Sequence, residues 1–286
     1  MTARTPAGAR VCKPMNGCYD HPMTGVKYEE SPEGVKLAYR ADGPAASPAC
    51  GFFWLGGFKS DMEGSKAEAL AALARETGRP GFRFDYSGHG ASGGDFLNGS
   101  ISAWLSEARH MFTRLAEGPR IVVGSSMGGW LALLLCRALM RHDPAAARRI
   151  RGLVLLAPAA DMTADLMWDE FPEHVKAEIT EKGVWHRPSL YGEPYAITRK
   201  LITDGRQHLM LAEGLDLACP VRILEGDADP DVPPAHAAKV FGALRGADVT
   251  LTLIKGGDHR LSSPDQLKLL RETVLALAER ADALSA

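Results

Sequence analysis

The sequence predicts an α/β fold: a mostly parallel, doubly wound sheet with helices on both faces and a small inserted lid. Short apolar or β-branched runs alternate along the chain with stretches of helix-forming composition, which is the pattern of repeated strand–helix–strand units. Several of the runs are apolar throughout, as expected of strands covered on both faces. The alternation lapses once, over about residues 159–217, and this mixed stretch predicts the lid.

The predicted elements follow in order from an edge hairpin. Residues 26–30 and 35–40 alternate polar and apolar side chains around Ser31-Pro32-Glu33-Gly34, which predicts two antiparallel strands at a sheet edge. The further strands are predicted at residues 51–55, 81–84, 121–124, 152–157, 221–225 and 249–254. The main helices are predicted at residues 66–76, 101–116, from the elbow toward 141, and 264–281. We expect a loosely ordered lead-in, residues 1–25, and one domain over residues 26–286.

The composition excludes several classes of protein. The chain has 286 residues, of which 45% are hydrophobic and 24% charged, and its formal net charge is -2. The sequence therefore has no excess of positive charge of the kind that binds nucleic acid. The five cysteines are scattered without metal-like spacing, and no metal site is predicted. No stretch has the apolar length of a membrane span.

We expect a cytoplasmic protein; the alternative is a mitochondrial one, because the N-terminus is basic and acid-poor like a transit peptide. The oligomeric state is left open.

The motif that organises the chain is Gly124-Ser125-Ser126-Met127-Gly128. A β-branched run ends in this GxSxG pentapeptide and passes at once into a helix-forming stretch, the strand, sharp turn and helix of a nucleophile elbow. So tight a turn strains the backbone of Ser126, and the flanking positions need glycine so that strand and helix can approach. Ser126 is the predicted nucleophile. The backbone N–H of Met127, at the helix N-terminus, is the predicted first oxyanion donor.

A serine hydroxyl needs a base within hydrogen-bond reach, and the base needs an orienting acid. His259 follows the last strand and precedes the last helix, where a loop can fold over the elbow, and it is preferred to His89 among nine histidines. For the acid we prefer Asp229, in the loop after the 221–225 strand, with Asp227 and Asp161 as alternatives. The chain order Ser126, Asp229, His259 differs from the orders of chymotrypsin and subtilisin.

A second oxyanion donor and an acyl slot complete the predicted site. After the 51–55 strand, Gly56-Gly57 lets the backbone approach a substrate oxygen, and we prefer the amide of Phe58 as donor, with that of Gly57 as the alternative. Apolar residues of the lid can form the wall of an acyl slot or simply pack the lid onto the domain. The candidates are Leu166, Met167, Trp168, Phe171 and Trp185, of which Trp168, Phe171 and Trp185 are the predicted substrate contacts.

These motifs resemble the α/β-hydrolase superfamily. The resemblance rests on Gly56-Gly57-Phe58, residues 85–92, the GxSxG pentapeptide, the Gly226 to Pro233 stretch and Asp258-His259. More narrowly, residues 58–67, 83–88, 124–130, Lys182-Gly183-Val184-Trp185 and Asp258-His259-Arg260 are similar to the group of mitochondrial palmitoyl-protein thioesterases that also hydrolyse acyl glucuronides. The resemblance implies a serine acyl hydrolase without metal or organic cofactor, and its GxxDxxVP pattern matches the acid to Asp229. Gly56-Gly57 departs from the His-Gly of many relatives.

The predicted function is hydrolysis of carboxylic esters or thioesters of apolar acyl groups through an acyl-enzyme intermediate. The substrate is expected to be a small molecule or an acylated protein. Three alternatives stay open: an amidase or peptidase, an acyltransferase, and a catalytically silent ligand-binding member of the fold. Dehalogenase and epoxide hydrolase chemistry is disfavoured because those relatives carry aspartate where this chain has Ser126.

Overall fold

The computed structural model describes residues 25–44, 47–188 and 194–284. Nearly all of the predicted lead-in, residues 1–24, lies outside the described residues. Within the described part of the chain, no helix has the length and apolar character needed to cross a membrane.

The centre of the molecule is an eight-stranded sheet. Its strands, in chain order, are β1 (Lys27–Glu30), β2 (Lys36–Asp42), β3 (Gly51–Leu55), β4 (Gly81–Phe84), β5 (Arg120–Ser125), β6 (Ile150–Leu156), β10 (Val221–Gly226) and β12 (Val249–Ile254). The spatial order is β1-β2-β4-β3-β5-β6-β10-β12. The β1–β2 hairpin joins β4 antiparallel at one edge, and the pairings from β4 to β12 are parallel. The predicted fold class is confirmed.

The strand order creates a crevice beside β3. From β3 the chain continues to β4 on one side of it, and β5 lies on its other side. The loops that leave the carboxyl ends of β3 and β5 therefore diverge, and such a switch point is where open α/β sheets bind ligands. Both the Gly56-Gly57 turn and the GxSxG pentapeptide follow these two strands. The topology thus brings together two motifs that are separated in the sequence by residues 58–123.

Helices cover both faces of the sheet. They are α1 (Ser65–Thr77), α2 (Ile101–Arg114), α3 (Met127–His142), the short α4 (Pro144–Ala147), α5 (Glu173–Lys182), α6 (Arg199–Gly205), α7 (Pro234–Ala243) and α8 (Pro264–Ala283). α1 and α8 bury apolar side chains such as Leu70 and Val274 against one face. α2 and α3 bury larger ones, including Trp104 and Trp130, against the other. β3 is buried along its whole length between these two layers, which explains its continuously apolar sequence.

The segment between β6 and β10, residues 157–220, holds the elements of the predicted lid. It contains a π-helical turn (Thr163–Trp168), α5, the antiparallel pair β7 (Val184–Arg187) and β8 (Tyr195–Thr198), α6 and the short β9 (Leu215–Asp216). β9 pairs with β11 (Leu244–Arg245), which directly follows α7. We call residues 157–220 the inserted segment. Neither the regular elements inside it nor α7 is predicted by the sequence pattern.

Candidate active site

Ser126 occupies the sharp turn between β5 and α3. Its backbone angles are φ 55° and ψ −119°, a left-handed conformation that a non-glycine residue adopts only when its surroundings enforce it, at a cost of about 1–3 kcal/mol. The residue is half-buried, whereas both of its neighbours are buried. Met127 is the first residue of α3, so its N–H lacks a helical carbonyl partner and points out of the helix N-terminus.

Two glycines of the pentapeptide allow the close approach that the turn needs. A Cβ on Gly124 would lie 2.2 Å from the Gly128 carbonyl oxygen, and a Cβ on Gly128 would lie 2.1 Å from the Leu55 carbonyl oxygen. Both contacts are far shorter than van der Waals distance, and both involve backbone atoms that cannot rotate away. The predicted role of the GxSxG glycines therefore follows directly from the packing of α3 on β3 and β5.

His259 and Asp229 form a hydrogen-bonded chain that ends at Ser126. The His259 Nε2 atom lies 3.1 Å from Ser126 Oγ, and His259 Nδ1 lies 2.7 Å from Asp229 Oδ2. The Asp229 side chain is fully buried, and that of His259 is 20% exposed. The other Asp229 oxygen, Oδ1, accepts hydrogen bonds from the amides of Asp231 and Val232 at 2.8 and 2.9 Å. Three donors therefore fix the orientation of this carboxylate.

The loops that carry Asp229 and His259 pack directly on each other. The Ala228 amide donates to the Gly257 carbonyl at 3.0 Å, and the Asp227 amide donates to the Ile254 carbonyl at 3.1 Å. A Cβ on Gly226 would lie only 2.3 Å from the Gly257 carbonyl oxygen. Since β10 and β12 are parallel neighbours, their carboxyl ends lie at one edge of the sheet, and this contact holds the acid and the base together.

The alternative acids and base have other partners. Asp227 pairs with Lys255 at 2.7 Å and accepts the Gly256 amide at 2.6 Å. The buried Asp161 accepts from the amides of Met210 and Leu211, at 2.9 to 3.1 Å, inside the inserted segment. Burial raises the pKa of Asp161. The recorded hydrogen bonds of His89 join its ring to the backbone of Ser87 and Lys59.

The turn that follows β3, which holds the predicted second oxyanion donor, lies against the nucleophile elbow. A Cβ on Gly57 would lie 3.4 Å from Ser126 Cβ, so the Gly57–Phe58 peptide is next to the reacting hydroxyl. The following residue, Lys59, has φ 60° and donates its amide to His89 Nε2 at 3.1 Å. His89 Nδ1 in turn donates to the Ser87 carbonyl at 3.1 Å. His89 is buried, and burial lowers its pKa, which favours the neutral ring that this bonding requires.

A cavity of about 610 Å³ opens above Ser126 and His259. Its apolar wall includes Phe58, Met162, Leu166, Met167, Tyr195 and Val232. Leu166 and Met167 are lid residues that the sequence analysis considered, whereas Met162 was missed. A methionine before a helical turn carries no signal in the sequence that separates a cavity wall from ordinary core.

The three aromatic residues predicted as substrate contacts lie elsewhere. Phe171 is buried and packs edge-on against Trp185, with ring centroids 5.2 Å apart, and the ring of Trp168 lies under the guanidinium of Arg206 at 5.3 Å. None of the three is among the residues that line the cavity. Their large side chains pack the inserted segment onto the core, and contact with a substrate stays a prediction for these three residues.

The polar side of the cavity carries several cations. Its lining includes Lys59, Lys66, Arg187 and Arg260, together with the acidic Asp231. Lys66 Nζ donates to the Arg260 carbonyl, next to His259. Burial, and secondly the positive charge of Arg260, lower the pKa of Lys66 to about 8. The sequence analysis missed Lys66 because its closeness to the elbow arises only when α1 packs beside the β12–α8 loop.

The side chains around the candidate site also include atoms of the types that ligate metal ions. Among the described residues, ligand atoms of Asp229, Asp231 and His259 lie within 4.8 Å of one another. Asp229 and His259 are, however, hydrogen-bonded to each other at 2.7 Å, and the remaining ring nitrogen of His259 is directed at a serine rather than at a third ligand. The absence of a metal or organic cofactor stays a prediction.

Comparisons with known proteins match almost the whole chain. The alpha/beta hydrolase family model matches residues 49–268. The bovine protein named mitochondrial palmitoyl-protein thioesterase ABHD10 is 32% identical over 281 residues, which cover 98% of this chain and 86% of the bovine one. The human protein of the same name is 31% identical over 259 residues, covering 90% and 81% of the two chains. The resemblance found in the sequence is confirmed.

Two solved structures extend the match to three dimensions. A putative hydrolase from Agrobacterium vitis S4 has a TM-score of 0.84 and 40% identity, covering 88% of this chain and 99% of its own. The mouse alpha/beta hydrolase domain-containing protein 10 has a TM-score of 0.78 and 31% identity, covering 90% and 99%. Because the bovine and human relatives are named mitochondrial, the comparisons give the predicted cytoplasmic location no support. The sheet order, the strained turn after β5 and these matches lead to one conclusion: this chain belongs to the alpha/beta hydrolase family.

Proposed function

We propose that this protein is a serine hydrolase that cleaves esters or thioesters of apolar acyl groups. The observation that carries the proposal is the continuous hydrogen-bonded chain from Ser126 Oγ through both nitrogens of His259 to the buried Asp229 carboxylate. A hydroxyl, an imidazole and a carboxylate in this order make a nucleophile, a general base and an orienting acid. The mitochondrial thioesterase name of the relatives supports the same reaction class.

The reaction runs in two halves. His259 Nε2 takes the proton of Ser126 as its Oγ attacks the acyl carbonyl, and the amides of Met127 and Phe58 donate to the oxyanion that forms. The imidazolium then protonates the leaving alcohol or thiol, which leaves an acyl-serine. In the second half His259 activates a water molecule that releases the acid and regenerates the serine. Asp229 keeps the proton of the neutral ring on Nδ1 and stabilises the positive ring.

The cavity and the inserted segment indicate where the acyl group binds. We assign the acyl chain to the apolar wall formed by Met162, Leu166 and Met167, and we interpret residues 157–220 as a lid of a single domain. Each methylene that such a wall buries contributes about 0.8 kcal/mol, so hydrolysis depends on acyl length. The bovine and human relatives are named palmitoyl-protein thioesterases, and a long acyl thioester of a protein is therefore a candidate substrate alongside small esters. A mitochondrial location goes with this proposal.

The test is a panel of acyl esters and acyl thioesters of graded length, assayed on the native protein and on Ser126→Ala. We expect Ser126→Ala to lower kcat at least about 10⁴-fold and to abolish labelling by a fluorophosphonate. Ser106→Ala is the matched control, because this serine donates to Glu33 at the surface and should leave both readouts unchanged. Equal hydrolysis rates for the native protein and Ser126→Ala would overturn the proposal. A wild-type protein that a fluorophosphonate does not label would indicate a ligand-binding protein without catalytic activity.

A further inference from the structure

A second carboxyl group lies beside the candidate active site and has no part in the mechanism above. Glu225 is the residue before the end of β10, paired in register with Leu253 of β12, and it is fully buried. Its neighbours along the strand, Ile223 and Leu224, are buried and apolar. An ionised carboxylate in such a place costs several kcal/mol unless donors surround it.

Glu225 has too few donors to be ionised. Its Oε1 atom accepts one hydrogen bond, from the Gly226 amide at 3.1 Å, and no donor of the described residues reaches its buried Oε2. In addition to burial, the Asp229 carboxyl raises the pKa of Glu225 both through its negative charge and through a side-chain hydrogen bond between the two groups. Two carboxylates can only accept, so this contact requires a proton on one of them. A protonated Oε2 that donates to Asp229 satisfies both observations.

The proton belongs to Glu225 rather than to Asp229. Three donors already hold Asp229: the amides of Asp231 and Val232 and the ring of His259. Burial, and secondly the negative charge of Asp229, raise the pKa of Glu225 to about 8. Glu225 is then mostly neutral at pH 7, and its side chain supplies a fourth donor to the Asp229 carboxylate.

The other titratable groups packed around β10 have partners of their own. On α7, His236 Nε2 contacts the Ala160 carbonyl at 2.9 Å, and burial lowers its pKa. After β6, Asp161 accepts the amides of Met210 and Leu211. After β12, His259 contacts Asp229 itself. Asp229 is the charged group that acts on Glu225.

We propose that Glu225 is a positioning residue of this site: its protonated carboxyl donates a hydrogen bond to Asp229 and fixes the orientation in which Asp229 accepts from His259. The inference rests on the proposed function for its catalytic consequence. When Glu225 loses its proton, the donor disappears and two buried carboxylates repel each other. The alignment of Asp229 with His259 is then lost at alkaline pH.

The test compares the pH profiles of kcat/KM for wild type, Glu225→Gln and Glu225→Leu with a p-nitrophenyl ester. Wild type is expected to lose kcat/KM above about pH 8, by up to tenfold per pH unit. Glu225→Gln keeps a donor that does not titrate, so its kcat at pH 7 stays within about threefold of wild type and its alkaline plateau extends. Glu225→Leu, without a donor, loses about tenfold in kcat at pH 7, with KM unchanged and no fall above pH 8.

A control and a second readout separate this role from a merely structural one. Glu107 is also a buried carboxyl, with its pKa raised to about 7 by burial, but it accepts the Ser87 amide; Glu107→Gln should keep the wild-type alkaline fall. Because the pKa of Glu225 is raised on folding, wild-type stability falls as pH rises toward about 8, and Tm should drop more between pH 6 and 9 than in Glu225→Gln.

The outcomes are distinguishable. An alkaline fall in Glu225→Gln equal to that of wild type, or a Tm difference that does not change with pH, overturns the inference. If Glu225→Leu does not fold, the profile of the isosteric Glu225→Gln still decides. A wild-type protein without any hydrolase activity refutes the proposed function, while the Tm comparison still decides whether Glu225 holds its proton.

Discussion

Replacing Asp229 by asparagine should abolish most of the activity without unfolding the protein. The Asp229 side chain is fully buried and lies 2.7 Å from His259 Nδ1. In Asp229→Asn the new amide oxygen can take over the two backbone donors from Asp231 and Val232, which leaves the NH₂ group facing His259 Nδ1. The ring then accepts at Nδ1 and carries its proton on Nε2. In that tautomer Nε2 can no longer take the proton of Ser126.

The size of the effect follows from the charge that is lost. A carboxylate about 4 Å from an imidazolium, at an effective dielectric constant of about 20, stabilises the charged ring by about 4 kcal/mol, or about 10³-fold in rate. The wrong tautomer adds to this loss, and removal of the acid charge in serine hydrolases generally costs about 10⁴-fold. We therefore expect kcat/KM of Asp229→Asn to fall by about 10³- to 10⁴-fold.

Asp227→Asn is the matched control, since it makes the same chemical change two residues away. Asp227 pairs with Lys255 at the surface, where an ion pair contributes little, so kcat/KM should stay within about twofold of wild type. Both variants are assayed at pH 7.5 with a p-nitrophenyl ester, and circular dichroism melting shows that they are folded. An Asp229→Asn protein within tenfold of wild type, or an Asp227→Asn protein that loses as much, would refute the assignment of the acid.

Two further predictions concern the oxyanion turn and the acyl slot. His89→Leu removes the acceptor of the Lys59 amide and should lower kcat about 10²-fold, since losing an oxyanion donor typically costs 10² to 10³ in kcat. His89→Gln can still accept this hydrogen bond and should lose less activity. Equal kinetics for the two variants would contradict the role of His89 in holding the turn after β3. Leu166→Trp fills part of the cavity and should shorten the longest acyl chain that is hydrolysed, with kcat/KM falling about fourfold for each excluded methylene. Trp168→Ala is the control and should leave the dependence of kcat/KM on chain length unchanged. A wild-type kcat/KM that does not vary with acyl length would refute the acyl slot.

Local sequence was sufficient for the sheet and the elbow. The continuously apolar run at β3 predicts a strand that is covered on both faces, and the structure has β2 and β3 within two residues of the predicted bounds. The turn at Ser126 was likewise predictable, because its geometry depends on glycines within the same pentapeptide. These features could be predicted because each has a pattern within a few neighbouring residues.

Local sequence was not sufficient for the wall of the cavity or for the neighbours of the acid. Trp168, Phe171 and Trp185 have the composition of an apolar slot, yet only the docking of the inserted segment decides whether a ring faces a cavity or the core. In β10, Glu225 directly follows the apolar residues Ile223 and Leu224, and an acidic residue at this point is a visible signal of a buried carboxyl. That Asp229 is the group beside Glu225 is evident only from the folded loop after β10.

The strands of the central sheet, the helices α1, α2, α3 and α8, the serine turn and the short list of candidate acids and bases could be predicted from the sequence itself, because the patterns that predict them are local. Tertiary structure alone decided that Asp229 and His259 meet Ser126, since this requires β10 and β12 to lie side by side and their loops to pack at Gly226 and Gly257. It also decided which apolar side chains line the cavity above Ser126 and His259. Such contacts join residues far apart in the chain, and no local periodicity encodes them.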